Sequence, residues 1–381
     1  MKIGTKLMVI ITAVNLVGFG GLTVSSVVSS SNQITEMVDE NINNIAKNVA
    51  LETKAYLEVP MDQIRAIAQI LSNFDEFEVG ERRTVLNFML ENLAEENPDF
   101  VGVWAAFEPN ALDGRDSLYV NTPGTDSTGR FLSYFSMINN RITLEPLVDY
   151  DKDDYYQVSL TTGKEGLIEP YFYPVGGVDV LITSLTVPVT RNGRVIGVAG
   201  IDLKLTDLQP ITENIKPYGD GIAAIFSRTG LIVTHPDPSR QGKDMRQTEA
   251  DFLVPFITPF ADAVTSGKEL SAKIISPALN ASVSLLTYPI TVGGSTTPWA
   301  TAIIVFDKTT MAPVHRMTTL LILLGLAILA IITVIVFFVS RTLSRPIVLV
   351  TNTLKDISEG EGDLTKQIKV ASKDEIGDLS K

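Results

Sequence analysis

Hydrophobic residues along this chain gather in two long runs and, between them, in short alternating stretches. The two patterns predict different structures. The first run extends from Leu7 to about Ser29 and the second from Thr318 to Val339. The second holds no charged residue and carries Leu, Ile and Val on every face, unlike an amphipathic surface helix. Its 22 residues, at about 1.5 Å each, reach about 33 Å and can cross the hydrocarbon layer of a bilayer. The first run is weaker, because Asn15, several glycines and hydroxyl side chains interrupt it. A cleaved secretory leader competes with a membrane anchor here. The length of the run, and its passage into a helical segment without a small-residue cleavage pattern, favour the anchor.

From Asn32 onward, Ile34, Met37, Ile42, Ile45 and Val49 recur every three to five residues, which predicts a helix rising as a stalk from the first span. Pro60 is the first interruption, and shorter helices are expected from there to about Glu96. Beyond Pro98 the pattern turns to short strands and turns. Phe100–Phe107 is apolar and aromatic, and Arg130–Phe135 is expected to pair near it. Val178–Thr186 and Arg194–Leu203 are further strands around an Asn192-Gly193 turn. A second cycle starts at Gly219, with Gly221–Ser227, a Thr229-Gly230 turn and Leu231–His235. Both cycles end alike. Leu185-Thr186-Val187-Pro188-Val189 precedes the strand Val195–Leu203, and Leu286-Thr287-Tyr288-Pro289-Ile290 precedes Trp299–Val305. Pro188 and Pro289 are 101 residues apart, about one small module, so a duplicated antiparallel-sheet module is predicted. A chance likeness of two proline-bearing hairpins remains the alternative.

Charge and composition sharpen this picture. At 381 residues the chain is too long for one ordinary core and points to two or three domains. Asp and Glu number 44 against 31 Lys and Arg, for a formal charge of −13. Such a surface does not suit a nucleic-acid backbone, which is met by clustered cations. No cysteine is present, which excludes disulfides, thiolate metal sites and cysteine nucleophiles. Lys2 and Lys6 precede the first span, and Arg341 and Arg345 follow the second. Residues 30–46 carry no Lys or Arg. The positive-inside rule then puts both termini in the cytoplasm and residues of about 30–316 outside.

After the second span, Ile347, Val350, Leu354 and Ile357 are spaced three and four apart, the seam of a helix that needs partners. Pro346 is expected near that helix's start. Ser358–Asp363 should break it, Leu364, Ile368 and Val370 mark an extended connector, and a new helix is expected near Ser372 with Asp374 and Glu375 in its first turn.

Taken together, these features resemble the receptor half of a methyl-accepting chemotaxis protein. Arg345-Pro346-Ile347 and Asp374-Glu375-Ile376-Gly377 are similar to the entries of the two helices of a HAMP domain. Gly197-Val198-Ala199-Gly200-Ile201-Asp202-Leu203 resembles the closing strand of the distal module of a double Cache domain. Gly219-Asp220-Gly221 through Gly230–Pro236 resembles the opening of its proximal module. The resemblance implies an α/β (α+β) chain: spans over 7–29 and 318–340, flanking a double Cache domain over 30–316. The distal module would cover about 98–210 and the proximal module about 218–308, with a truncated HAMP segment over 341–381. It also implies a homodimer in the inner membrane with a periplasmic sensor, reporting to a cytoplasmic adaptor and kinase through a domain beyond Lys381. A histidine kinase or nucleotide cyclase output is the alternative.

Asp149-Tyr150-Asp151-Lys152-Asp153-Asp154-Tyr155-Tyr156, followed by Glu169-Pro170-Tyr171-Phe172-Tyr173, is the densest chemical constellation. The resemblance places it at the distal pocket. Members that bind amino acids carry an Arg two residues before a Trp-Tyr pair. Here that position is Asp153, and the pair is Tyr155-Tyr156. Tyr171 and Asp202 match positions that contact a ligand's amino group, and Trp104 is a further candidate wall. Carboxylate recognition favours a bidentate Arg, whereas acids beside aromatic faces favour an ammonium. A small amine or quaternary ammonium compound is therefore the expected ligand, with an amino acid or carboxylate as the alternative. A solvated acidic loop, or simple core tyrosines, would also account for these residues. Calcium is disfavoured because the glycine and distal Glu of an EF-hand are missing at their offsets. No nucleophile motif, phosphate loop or metal cluster appears, so neither an enzyme nor a cofactor is expected.

Overall fold

In the computed structural model, residues 3–138 and 141–359 are described. The first apolar run begins one uninterrupted helix, α1 (Ile3–Ser72). From Val38 its inward side is a stripe of Ile42, Ala46, Val49, Thr53, Leu57, Met61, Ile64, Ala68 and Leu71, each at most 5% exposed. These positions fall three or four apart, as one helical face requires. Pro60 lies inside α1, so the expected break there does not occur. A mid-helix proline removes one backbone bond and costs about 3 kcal/mol. Leu57, Met61 and Ile64 around it are wholly buried, each stabilising by about 1.5–3 kcal/mol, and that packing carries the helix through the defect. A second helix, α2 (Arg82–Glu96), buries Leu86, Leu90 and Ala94.

The first sheet is antiparallel throughout. Its elements in chain order are β1 (Phe100–Phe107), β2 (Leu132–Ile138), β3 (Arg141–Pro146), helix α3 (Asp154–Thr162), β4 (Gly166–Leu167), β5 (Tyr171–Val175), β6 (Val178–Arg191) and β7 (Arg194–Lys204). The strands lie in the order β3-β2-β1-β7-β6-β4, with β5 also on β6. Asn192 and Gly193 both take positive φ in the two-residue turn between β6 and β7. Helix α2 packs against β1, β2 and β3, and α3 packs against β4, β6 and β7.

A short α4 (Pro210–Glu213) leads to the second sheet. Its elements are β8 (Ile222–Phe226), β9 (Ile232–Thr234), α5 (Met245–Thr248), α6 (Ala250–Leu253), α7 (Ile257–Ser266), β10 (Leu270–Ser276), β11 (Ala281–Ile290) and β12 (Trp299–Phe306). The order is β10-β11-β12-β8-β9. Read from the last strand outward, both sheets place the first strand on one side of it and the hairpin partner on the other. The repeated prolines have a common cause. Pro188 lies past the end of β4 and Pro289 past the end of β10, so neither missing N–H leaves a ladder bond unmade on the outer side. Strands β3 and β10 and helices α3 and α7 were not anticipated from the sequence.

The chain continues through α8 (Asp307–Thr310) into α9 (Ala312–Ser358). Leu320, Leu323, Leu324, Leu326 and Ile331 of α9 are 58–67% exposed, and its most apolar window reaches a mean hydropathy of 3.3, against 1.8 in α1. Both helices are long and apolar enough to cross a membrane. Pro346 lies inside α9, not near a helix start. Extending an existing helix past one lost bond is cheaper than nucleating another. The side chains of Leu354 and Ile357, and the expected connector and second helix from residue 360 onward (Leu364, Ile368, Val370, Ser372, Asp374–Gly377), lie outside the described residues.

Candidate ligand-binding site

On the α3 side of the first sheet, residues of five strands alternate toward one point. Asp202 of β7 stands opposite Gly102 of β1 and Ser184 of β6, and Trp104 stands opposite Tyr134 and Gly200. The glycines make this arrangement possible. A Cβ on Gly200 would lie 2.2 Å from the Trp104 ring, and one on Gly102 would lie 2.4 Å from the Tyr134 ring. Each ring thus lies flat across a strand that presents no side chain there.

Asp202 is 1% exposed. Its Oδ1 accepts from Trp104 Nε1 at 2.9 Å and from Ser184 Oγ at 2.7 Å. Ser184 has one hydrogen and gives it to Asp202, so the 2.7 Å contact between Ser184 Oγ and the Tyr171 hydroxyl has Tyr171 as donor. Among the described residues none donates to Oδ2. Burial pushes the carboxyl up to about 6, against the opposing pull of Ser184, Trp104 and Tyr134, and no Lys or Arg contributes. The Tyr134 hydroxyl is buried beside this carboxylate without a partner in hydrogen-bond geometry.

Five rings surround the carboxylate. Tyr155 stacks on Tyr171 with 7° between planes and 6.0 Å between centroids. Trp104 meets Tyr155 edge-on at 5.3 Å, Tyr134 lies 5.3 Å from Tyr173, and Tyr173 meets both Tyr155 and Tyr171 edge-on. The Tyr155 hydroxyl donates to the Val148 carbonyl at 2.5 Å, and the Val148 N–H donates to the Tyr173 hydroxyl at 3.3 Å. These bonds anchor the rings from outside and leave their faces to one another. An open cavity of about 450 Å³ lies against this cage, lined by Asp153, Tyr155, Glu169, Pro170 and Tyr171 among others. Tyr155 and Tyr171 belong to both.

The sequence-derived candidates therefore separate. Trp104, Tyr155, Tyr171 and Asp202 meet in the cage. Asp153 sits at the cavity mouth as the residue before α3, its side chain making no capping bond. Partial burial and the nearby Asp149 push its carboxyl up. Tyr156 turns elsewhere: its hydroxyl donates to Glu108 at 2.8 Å, within a cluster that includes Arg130, and its ring meets Tyr150. Tyr134, Ser184 and the two glycines were not singled out from sequence. Their only signal is alternation within strands, and which strands adjoin is not written locally. Among the described residues no Lys or Arg contacts the cage: Lys152, which lines the adjoining cavity, pairs with Asp149, and Arg130 pairs with Glu108. The face of the second sheet covered by α5–α7 is filled instead by Phe226, Ile232, Met245, Phe260 and Leu285.

Two related antiparallel-sheet modules, one with a buried chemical site, thus lie in the chain between two long apolar helices. The Cache domain family matches residues 30–314 and the HAMP domain family residues 338–381, and the chain belongs to the Cache domain family. It is 29% identical over 316 residues to the methyl-accepting chemotaxis protein TlpQ of Pseudomonas aeruginosa, covering 74% of this chain and 43% of that one. It is 28% identical over 254 residues to PctB, a methyl-accepting chemotaxis protein of the same organism, covering 65% of this chain and 38% of that one. The chain thus spans less than half the length of these curated relatives. Among solved structures, the extracellular domain of mmHK1S-Z2, assigned to a histidine kinase, superposes with a TM-score of 0.64 at 31% identity, covering 72% of this chain and 100% of that one. The PctB ligand-binding domain, solved with L-Arg, shares the fold at a TM-score of 0.50 and 20% identity, covering 73% of this chain and 98% of that one.

Proposed function

We propose that this chain is the sensory and membrane-spanning part of a chemoreceptor whose distal module binds a small organic cation. In this reading residues of about 30–316 form the sensor outside the inner membrane, the spans cover 7–29 and 318–340, and both termini are cytoplasmic. The receptor works as a homodimer, and its HAMP segment passes the signal to a chemotaxis adaptor and kinase. The observation that carries the ligand class is Asp202: a buried carboxylate that meets only neutral donors and, among the described residues, no Lys or Arg, enclosed by aromatic rings. An ammonium group supplies what is missing, by ion pairing with the carboxylate and by attraction to the ring faces. A carboxylate ligand would meet Asp153, Glu169 and Asp202, while Lys152 at the cavity is already paired with Asp149. Asp202 is 1% exposed, so a ligand reaches it only when the cage opens, and the Tyr155–Tyr171 pair is the part of the cage that borders the adjoining cavity.

Calorimetric titration of the chain in lipid nanodiscs with a primary amine, a quaternary ammonium compound and a dicarboxylate tests this. Heat from an amine or the quaternary compound, abolished by Asp202→Asn, is the expected result. Binding of the dicarboxylate alone would overturn the assignment. The likeness to a histidine kinase sensor favours one second reading, in which the same sensor drives a kinase. Assaying the full-length protein for amine-dependent methylation against autophosphorylation separates the two outputs.

A further inference from the structure

The segment Glu165–Tyr171 touches three parts of the fold at once. Its last residue is half of the ring pair over Asp202, and Ile168, Glu169 and Pro170 line the adjoining cavity. Its other contacts lead away from the distal sheet. Glu165 makes a two-point ion pair with Arg65 of α1, at 2.5 and 2.9 Å, and its Oε2 accepts the Gly294 N–H at 2.5 Å. The Gly293 N–H donates to Glu58 of α1 at 2.9 Å. Thr297 Oγ1 donates to the Leu167 carbonyl at 3.1 Å. Glu169 Oε2 accepts from both the N–H and the hydroxyl of Thr229, at 3.2 and 2.5 Å. Residues 293–297 form the β11–β12 loop and Thr229 the β8–β9 turn, so all of these partners belong to α1 or to the proximal module.

Within its own sheet the segment is tied to β6: the Ile168 N–H donates to the Ser184 carbonyl at 2.9 Å, Thr183 Oγ1 donates to the Ile168 carbonyl at 2.7 Å, and Tyr171 pairs with Ile182. Strand β4 makes only two ladder pairs, Gly166 with Thr186 and Leu167 with Leu185. The far side is closely fitted: Gly293 takes a φ of +53°, and a Cβ there would lie 2.3 Å from the Glu165 carboxylate. A short edge strand bonded on one side to β6, next to Ser184 of the cage, and on the other to α1 and the proximal module passes a displacement of either side to the other. We propose that Glu165–Tyr171 is the coupling strap of the sensor. Parting the Tyr155–Tyr171 pair displaces Tyr171, and Glu169, Leu167 and Glu165 transmit the displacement to the β8–β9 turn, the β11–β12 loop and α1. The coupling is reciprocal, so loosening the proximal end loosens the cage. It goes beyond the functional assignment above and does not depend on which molecule fills the cavity.

The chain has two tryptophans, Trp104 in the cage and Trp299 at the start of β12, so Trp299→Phe leaves Trp104 as the only emitter. In that background, Thr229→Val and Glu165→Gln are compared with Asp75→Asn, which breaks the unrelated Arg191–Asp75 pair. The chain is kept in nanodiscs without ligand. Expected for the first two variants is a roughly 2- to 30-fold faster amide exchange at Tyr156 and Gln157 in the first turn of α3, with greater acrylamide quenching of Trp104. Asp75→Asn should leave both unchanged. Faster exchange confined to residues 228–231 and 291–298, with α3 and Trp104 unaffected, overturns the strap, as does an equal response to Asp75→Asn. Should Glu165→Gln fail to fold, Thr229→Val, which alters only the Glu169 anchor, decides alone. Because no ligand is present, failure here is distinct from failure of the amine titration.

Discussion

Asp202 concentrates the chemistry of the site in one side chain, and its behaviour with pH can be worked out. Its folded pKa of about 6 lies above the ordinary value of 3.8, so the folded state binds the extra proton. Its contribution to stability is therefore full below about pH 3.8 and lost as pH rises through about 6. The shift corresponds to about 3 kcal/mol. The stability of wild type minus that of Asp202→Asn should fall by this order between pH 4 and pH 7, read by chemical denaturation at each pH. Cation binding runs the opposite way. It requires the carboxylate, so affinity should weaken about tenfold per unit below pH 6, with proton release on binding near that pH. Titrations in buffers of different ionisation enthalpy detect the released proton, and their agreement would remove Asp202 from the binding step. Tyr134 offers a sharper discrimination. Its hydroxyl lies beside the Asp202 carboxylate and favours the ionised form, so Tyr134→Phe should raise the Asp202 pKa further and move the pH midpoint of binding upward. If a ligand group meets that hydroxyl, affinity falls by about 1 kcal/mol, or roughly fivefold.

At the scale of elements, the cage depends on strands that give way to rings. Gly200→Ala puts a methyl into the Trp104 ring and should destabilise the sensor by about 1–3 kcal/mol while disturbing Trp104 emission. Pro60→Ala should do the reverse, restoring a backbone bond within α1 and raising the melting temperature by the equivalent of about 1–3 kcal/mol. A drop would mean that the proline ring is needed in the packing. The same elements show what local sequence reports. Strands Phe100–Phe107 and Arg194–Lys204, and the Asn192-Gly193 turn, were legible because alternation and turn chemistry act within a few residues. Pro60 and Pro346 misled because propensity is a local penalty, and the packing or helix length that offsets it is not local. Strand β4, two residues long, carries no periodicity at all, yet it forms the strap beside the cavity.

For the whole molecule, the two apolar helices decide where the sensor works. The chain has no cysteine, so single cysteines report topology without background. Cysteine at Ser239 should react in intact cells with a membrane-impermeant maleimide, and cysteine at Ser358 only after lysis. The opposite result would invert the proposed arrangement. The two long apolar stretches, the helical run from Asn32, the two repeated hairpins and the acidic, aromatic stretch around residues 149–173 were all determined by sequence alone, because hydrophobic period, charge and turn residues are properties of neighbours along the chain. The cage was decided by tertiary structure. Trp104, Tyr134, Ser184 and Asp202 come from four strands, and strand order, set by which faces bury together, brings their side chains to one point. The same register sends Tyr156 to Glu108 and leaves Asp202 a charge without a counter-ion, a circumstance that exists only once the sheet has formed around it.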